Sequence, residues 1–341
     1  MEVKIAKIGL IGKVNVGTCF LQLLKEKRET FKKKFNFDFK VVAIFEFDGA
    51  IIDEKGIDLE EILKIGKEFR KLSYWKNGIN AKDFIPKIDM DICVECTPTN
   101  SANGEPGLSH IIECLNNNVD VISSNKGPFY LQYKKIKDLA RERNCYVKYE
   151  ATVASAVPAL AVRDCLIATE ITSIRSILNG TSNYILSRIT AEGVSFSIAL
   201  KEAQELGYAE ADPTLDIEGY DAAGKLVILA NELFGWTKSI KDVKITGITK
   251  ITPQAIELAK AEGFLIKHLA IVEDNRLIVE PRLVEKDSPL NISGTLNVIE
   301  LNTKHAGPII LIGRGAGGFE AATTILNDLI NIAKLRNYAQ F

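Results

Sequence analysis

The sequence has almost no net charge: across 341 residues, 43 lysines and arginines stand against 44 aspartates and glutamates. So even a balance gives no electrostatic reason to expect a nucleic acid or an anionic membrane surface, and a small-molecule partner fits better. Long apolar runs are missing as well. Stretches such as 226–230 and 309–312 fall far short of the ~18 residues that suggest a membrane span. The opening residues Met1-Glu2-Val3-Lys4-Ile5 alternate like a strand and lack the apolar stretch and cleavage site of a signal peptide, so a cytoplasmic location is expected. Histidine occurs only 3 times, and the 6 cysteines, at 19, 93, 96, 114, 145 and 165, lack the dense framework of a small secreted domain. Cys93 and Cys96 have CxxC spacing but fall in an expected buried strand, which favours core packing over a metal or redox site. No internal repeat, low-complexity linker or disordered tail is visible.

Length alone suggests about two domains at ~150 residues each. Residues 3–11 read as a buried strand that runs into Gly12-Lys13-Val14-Asn15-Val16-Gly17 and a helix to about 33. Strand, glycine turn and helix form the frame of a dinucleotide fingerprint, whose second glycine is here Val14. A branched side chain there resists positive φ and crowds a pyrophosphate, although the helix N-terminus still suits an anion. A second strand over 39–45 ends at Glu46, where a carboxylate would hold a ribose 2′-hydroxyl and repel a 2′-phosphate. That favours NAD over NADP, with Asp48 as another candidate acid.

The spacing predicts a helix over 59–75, a strand over 90–95 opening into Thr97-Pro98-Thr99-Asn100, a helix over 108–116 and a strand over 119–123. The last ends in Ser124-Asn125-Lys126-Gly127-Pro128, which places Lys126 either against a bound group or in an exposed loop. A helix over 136–143 and a strand over 146–150 follow, and Glu150 with the backbone carbonyls after it could form an oxygen-rich cation site or be a hydrogen-bonded buried acid. Beyond a strand at 171–178, Asn179-Gly180-Thr181-Ser182-Asn183 gives a turn and an N-cap for a helix expected near Tyr184. Another helix spans 197–206 and ends at Gly207.

The segment from Gly207 to Lys225 concentrates Glu210, Asp212, Asp216, Glu218 and Asp221 ahead of a lysine, with Asp221 and Lys225 four apart at the start of an apolar helix ending at Gly235. It is expected to form the floor of a substrate site, although an i,i+4 pair on a wet surface would look the same. Strands at 243–251, 268–271, 277–283, 296–301 and 308–312 give the second domain an α+β character. Gly313-Arg314-Gly315-Ala316-Gly317-Gly318 then leads into a helix over 320–333, its glycines allowing close approach to a ligand or to a helix of the first domain.

Taken together, Thr97-Pro98-Thr99-Asn100, Ser124-Asn125-Lys126-Gly127-Pro128, Glu150-Ala151-Thr152-Val153, Asn179-Gly180-Thr181-Ser182-Asn183-Tyr184-Ile185-Leu186, Gly207-Tyr208-Ala209-Glu210, Asp221 with Lys225, and Gly315-Ala316-Gly317-Gly318 make the chain resemble homoserine dehydrogenase along nearly its whole length. The resemblance implies NAD(P)-dependent interconversion of L-homoserine and L-aspartate 4-semialdehyde, a step toward threonine and methionine. It implies an α/β fold: a Rossmann-type doubly wound parallel sheet over 1–150, completed by 313–341, and an α+β catalytic and dimerisation domain over 151–312, paired in a homodimer. Lys225 and Lys126 match the catalytic lysines, and Glu210, Asp216, Asp221, Gly180, Thr181 and Tyr208 the substrate-binding residues. Gly12, Val14, Asn15, Val16, Gly17, Glu46, Thr97, Pro98, Thr99, Lys126 and Gly315 fall to the cofactor. Glu150 with the carbonyls of Val153, Ser155 and Val157 matches a monovalent cation site for Na+ or K+. The monofunctional form is expected, without an appended regulatory domain.

The residue types suit that chemistry. A carboxylate such as Glu210 can bind an α-ammonium, and an ammonium such as Lys225 can stabilise charge growing on the substrate oxygen and deliver a proton. Two departures stand out: Val14 in the fingerprint, and Ala154 and Ala156 where glycines are usual beside the cation site. They leave open a second class, a non-catalytic homoserine-binding or regulatory relative with impaired cofactor binding.

Overall fold

The structure, a computed structural model, describes residues 4–339; Val3, the first residue of the expected opening strand, lies outside them. The chain folds as two compact units, one of residues up to Thr152 with those from Gly317 onward, the other Val153–Ala316.

The first unit is built on a seven-stranded sheet in the order β4-β3-β2-β1-β5-β6-β7. Its strands are β1 (Lys4–Ile11), β2 (Phe37–Glu46), β3 (Gly49–Ile52), β4 (Lys76–Asn77), β5 (Ile92–Glu95), β6 (Asp120–Ser123) and β7 (Val147–Lys148). Strands β2, β1, β5, β6 and β7 run parallel, while β3 and β4 add an antiparallel edge. Because β2 and β5 flank β1 on opposite sides, the strand order reverses at β1, the place where open α/β sheets bind ligands beyond their carboxyl ends. Strands β1 and β2 are covered on both faces, so they read as near-continuous apolar runs: Ile8, Leu10 and Phe45 are fully buried, each contributing about 1.5–3 kcal/mol.

Helix Val16–Phe35 contributes Phe20, Leu21 and Leu24 to this core, and helix Gly318–Leu335 adds Ala322, Ile325, Leu329 and Ile332 at helical spacing. Gly318 makes their packing possible. A Cβ there would fall 2.7 Å from Asn15 Oδ1 and 2.9 Å from Cys19 Sγ, so part of the terminal glycine run serves helix packing within this unit.

Some expected boundaries shift for identifiable reasons. The helix expected over 59–75 stops at Ile65, because Gly66 takes φ 60 and the chain continues as a 3₁₀ turn, Gly66–Lys71. The hairpin strand β3 and its partner β4 were not foreseen from the pattern. Helical structure begins at Lys126, ten residues before the expected 136, since Asn125 caps it and Pro128 is tolerated in its first turn; a kink at Gln132 (φ −135, ψ 31) separates this first piece from the expected helix. Strand β7 is short, and Glu150–Thr152 is a 3₁₀ turn.

The second unit holds a six-stranded sheet in the order β13-β12-β8-β10-β11-β9, from β8 (Ile171–Ile177), β9 (Val243–Ile245), β10 (Phe264–Glu273), β11 (Arg276–Glu285), β12 (Leu296–Thr303) and β13 (Gly307–Arg314). All its pairings are antiparallel except β11 with β9. Helices Gly180–Glu192, Phe196–Glu205 and Pro253–Ala261 share a core with Ile266, and Leu269, Ile271 and Val298 pack with Leu290 and Ile292 in another. The strand expected over 243–251 ends at Ile245, and the unforeseen helix Pro253–Ala261 starts with Thr252 as its cap and proline in its first turn. Among the described residues, no helix is long and apolar enough to cross a membrane.

Candidate active site

The nucleotide-binding candidates lie in the first unit at the carboxyl ends of its parallel strands. Gly12 has φ 86, and a Cβ there would meet Cys96 O at 2.9 Å; a Cβ on Gly17 would come within 2.1 Å of Gly12 O. Both positions therefore require glycine. Positive φ falls on Gly12 and Asn15 (φ 50) and not on Val14, whose side chain is 67% exposed. The backbone objection to valine in the fingerprint disappears. Asn15 precedes helix Val16–Phe35 without a side-chain capping bond, so it leaves the amides of the helix's first turn uncapped by its side chain.

Glu46 ends β2, accepts a hydrogen bond from Lys13 N at 2.6 Å and faces Arg70 Nη2 at 3.6 Å. Arg70 also donates from Nε to Asp48 at 2.8 Å. Lys13 reaches Gly66 O at 3.0 Å over the Phe69 ring, and burial pulls its ammonium below the ordinary lysine range. Sequence reasoning named Glu46 and Asp48 but missed Lys13 and Arg70, because only folding brings residue 70 to the end of β2.

At the ends of β5 and β6, Thr97 donates to Glu95, and Pro98 O accepts from Asn125 Nδ2 at 3.4 Å. Thr99 follows in the same exposed loop. Asn125 Oδ1 accepts from Gly127 N at 3.1 Å, which makes Lys126 the first residue of a helix rather than part of a loop.

The substrate candidates belong to the second unit. Helix Gly180–Glu192 starts four residues earlier than expected because Asn179 Oδ1 accepts from Ser182 N at 2.8 Å. The other end of the same amide does more. Asn179 Nδ2 donates to Asp216 Oδ1 at 2.6 Å and to Asp221 Oδ2 at 2.9 Å. Asp221 Oδ2 also pairs with Lys225 Nζ at 2.8 Å, and Lys225 donates to Leu178 O at 2.8 Å. The Lys225 and Asp221 side chains are only 12% and 9% exposed, which excludes a solvated surface pair. The sequence places Asn179 only in a turn-and-cap segment before the expected helix. The signal was the residue type, since of the common capping residues only asparagine can accept with one atom and donate with another toward carboxylates.

Thr181 Oγ1 donates to Tyr208 O at 2.7 Å, and the Tyr208 ring meets Tyr184 edge-on at 5.0 Å. Gly180 lets Thr295 O approach, as a Cβ there would sit 2.8 Å from it. Glu210 is exposed on the following loop, where its carbonyl accepts from Gln204 Nε2 at 3.1 Å. Among the described residues, Glu210 is not part of the Asn179 hydrogen-bond cluster. Helix Tyr220–Phe234, which carries Asp221 and Lys225, starts behind Gly219 at φ 89. A Cβ on Gly219 would lie 3.0 Å from His268 Cε1; His268 is buried, bonded through Nε2 to Thr246 O at 3.0 Å, and desolvation pushes it down to about 4, so it stays neutral.

The expected cation ligands divide between the units. Glu150 is buried in the first, where its amide donates to Asp328 at 3.2 Å. In the second, Ser155 takes φ 42, while Ala154 and Ala156 do not need the left-handed region where glycines were expected. Val157 N donates to Ala154 O at 2.9 Å, and Val157 O accepts from Ala159 N at 2.7 Å. Val153 and Val157 are buried. Among the described residues, no group of three His, Cys, Asp or Glu side chains could hold a metal ion. Gly315 was expected at the cofactor; its close neighbour is Asn297 on β12, 2.1 Å from the place of a Cβ.

Residues 12–150 match the homoserine dehydrogenase NAD-binding domain model and residues 158–330 the homoserine dehydrogenase model. The homoserine dehydrogenase of Methanocaldococcus jannaschii is 45% identical over 97% of this chain and 98% of its own length. An NAD(+)-dependent homoserine dehydrogenase of Pseudomonas canavaninivorans is 34% identical over 96% of both chains. A crystal structure of the Thiobacillus denitrificans homoserine dehydrogenase superposes with a TM-score of 0.85 at 30% identity, covering 98% of this chain and 74% of that one.

Proposed function

The chain belongs to the homoserine dehydrogenase family, and from that premise we propose how its residues divide the chemistry. It is an NAD(P)-dependent oxidoreductase that interconverts L-homoserine and L-aspartate 4-semialdehyde. The observation that carries the assignment of roles is the buried array Asn179–Asp221–Lys225. Lys225 handles the proton at the substrate oxygen, giving it up when the aldehyde is reduced and accepting it when homoserine is oxidised. Asp221 orients that lysine. Glu210 binds the α-ammonium through a charge-assisted hydrogen bond, with Asp216, Gly180, Thr181 and Tyr208 shaping the same pocket. Lys126 polarises or positions the substrate.

Gly12, Asn15, Val16 and Gly17 hold the pyrophosphate, Glu46 the ribose, and Thr97, Pro98 and Thr99 the nicotinamide end. The dinucleotide supplies the hydride acceptor when bound. The test is homoserine-dependent formation of NADH or NADPH at alkaline pH; a chain that binds homoserine without turnover on either nucleotide would instead be the non-catalytic relative. The shape of the Gly12–Gly17 loop, with Val14 outside the positive-φ positions, speaks for the enzyme.

NAD is the preferred nucleotide, because Glu46 and Asp48 put two carboxylates at the end of β2 and engage Arg70. A 2′-phosphate there would meet both acids and compete for an arginine already paired. The expected kcat/KM ratio of NAD to NADP is about tenfold, equivalent to ~1.4 kcal/mol, and Glu46→Ala should bring it close to one. A parent that favours NADP would refute this preference.

Three further features complete the reading. The second sheet supports a homodimer, since its edge strand β13 carries Ile312, which is 51% exposed; light scattering should give twice the chain mass. Na+ or K+ binds Glu150 and the carbonyls of Val153, Ser155 and Val157, so replacing either ion with a bulky organic cation should lower activity. The six cysteines are all free thiols, consistent with a reducing cytoplasm, which cell fractionation would check.

A further inference from the structure

The ends of β5 and β6 carry a closed ring of hydrogen bonds in which the roles above use Thr97 but give no part to Glu95, Ser123 or Asn125. Glu95 ends β5 and is 1% exposed. Its Oε1 accepts from Thr97 N at 3.1 Å and from Thr97 Oγ1, and its Oε2 accepts at 3.2 Å from Ser123 Oγ, the last residue of β6. Ser123 Oγ accepts from Asn125 N at 3.0 Å. Asn125 Nδ2 returns to Thr97 Oγ1 at 3.1 Å, while Asn125 Oδ1 caps the helix that begins at Lys126.

An ionised carboxylate can only accept hydrogen bonds. Both hydroxyls must therefore point their hydrogens at Glu95, which leaves their lone pairs for the two N–H groups of Asn125. Helix Gly107–Asn116 starts so close that a Cβ on Gly107 would lie 3.2 Å from Glu95 Oε2 and 2.4 Å from Asn125 Nδ2, and the positive end of the helix is thereby brought to the carboxylate. His110, on the same helix and buried, sets Nδ1 3.7 Å from Glu95 Oε1, and that nitrogen has no hydrogen-bond partner among the described residues.

We infer that Glu95 is a positioning residue for Lys126 and for the Thr97–Pro98 segment: its buried charge fixes the direction of every bond in the ring, and the ring locks the asparagine that caps the Lys126 helix. The inference rests on the reading of Lys126 as a residue that acts on the substrate. Glutamine at 95 would have nearly the same shape but would turn one oxygen into a donor. Whichever hydroxyl faced the new amide would have to turn its own hydrogen away from residue 95 and accept there instead, which leaves that hydrogen without its acceptor and loosens the ring.

The test compares Glu95→Gln, Asn125→Ala, their double variant and Lys126→Ala in the full-length enzyme with NAD+ and homoserine. Glu95→Gln should lower kcat by about 30-fold, the scale of a misplaced catalytic group, and change the homoserine KM and the NAD+ Kd by less than about threefold. In the double variant it should add no more than about twofold to the loss from Asn125→Ala, because both act through one cap. Parental kcat in Glu95→Gln, or two losses that multiply, would overturn the inference. If Glu95→Gln does not fold by circular dichroism, Ser123→Ala removes only the link between Glu95 and the Asn125 amide, with kcat expected to fall about fivefold at unchanged KM; parental kcat there overturns it equally. Parental kcat in Lys126→Ala would remove the reading of Lys126 and this inference with it. An inactive Lys126→Ala beside an unaffected Glu95→Gln would remove this inference alone.

Discussion

Replacing Lys225 with methionine should lower homoserine-dependent NADH formation by about a thousandfold, the middle of the range for a lost general acid–base group. Methionine keeps most of the length of the lysine stem while deleting the charge. Nucleotide affinity should stay within about twofold, because every proposed pyrophosphate and ribose contact belongs to a different unit of the chain. The main competing explanation is misfolding. Breaking a buried ion pair by removing one partner costs about 3–5 kcal/mol when the other is left uncompensated. Here the loss is expected below that, since Asp221 keeps its hydrogen bond from Asn179.

Lys225→Arg separates charge from proton transfer. The guanidinium can keep an ion pair with Asp221 but does not give up its proton in the accessible pH range. It should therefore fold like the parent and still lose homoserine oxidation by at least about a hundredfold. Activity in either variant above about a tenth of the parent at alkaline pH would rule out Lys225 as the proton-transfer group.

Much of this was legible in the sequence, and the parts that were not have physical reasons. The parallel strands announced themselves because β1 and β2 are buried on both faces, and the Asp221–Lys225 pair because four residues make one helical turn. Helix starts were harder. At both Lys126 and Gly180 the helix begins directly after an asparagine, in residues rich in glycine or small polar side chains that look like loop by propensity, and a capping amide decides the matter. Val14 illustrates the opposite error. Counting glycines assigned it a strained conformation, whereas the turn places its positive φ one residue later, on Asn15, a type that tolerates it. Contacts between distant segments, such as Arg70 with Glu46 and Asp48, left no trace in local pattern at all.

The second large effect is expected at Asn179, which no periodicity singled out. Asn179→Ala removes a helix cap, worth about 1 kcal/mol, together with two hydrogen bonds to carboxylates, worth about 1.5–3 kcal/mol each. These terms share one side chain and will not add fully, so a net loss of about 3 kcal/mol is the expectation, read as a lower urea midpoint at unchanged slope. The catalytic consequence should exceed what stability explains. With the amide gone, Asp216 and Asp221 lose the donor that bridges them, and Asp221 no longer holds one fixed direction toward Lys225. Turnover of the folded fraction should drop by about a hundredfold, as expected for a displaced proton-transfer group. Asn179→Asp sharpens the comparison, because aspartate retains an acceptor for Ser182 N and so keeps the cap, but replaces the bridging donor with a third carboxylate. If bridging matters, the aspartate variant should be as inactive as the alanine one while its helix cap survives. If only the cap matters, aspartate should restore both stability and turnover, and the role given to the amide would fall.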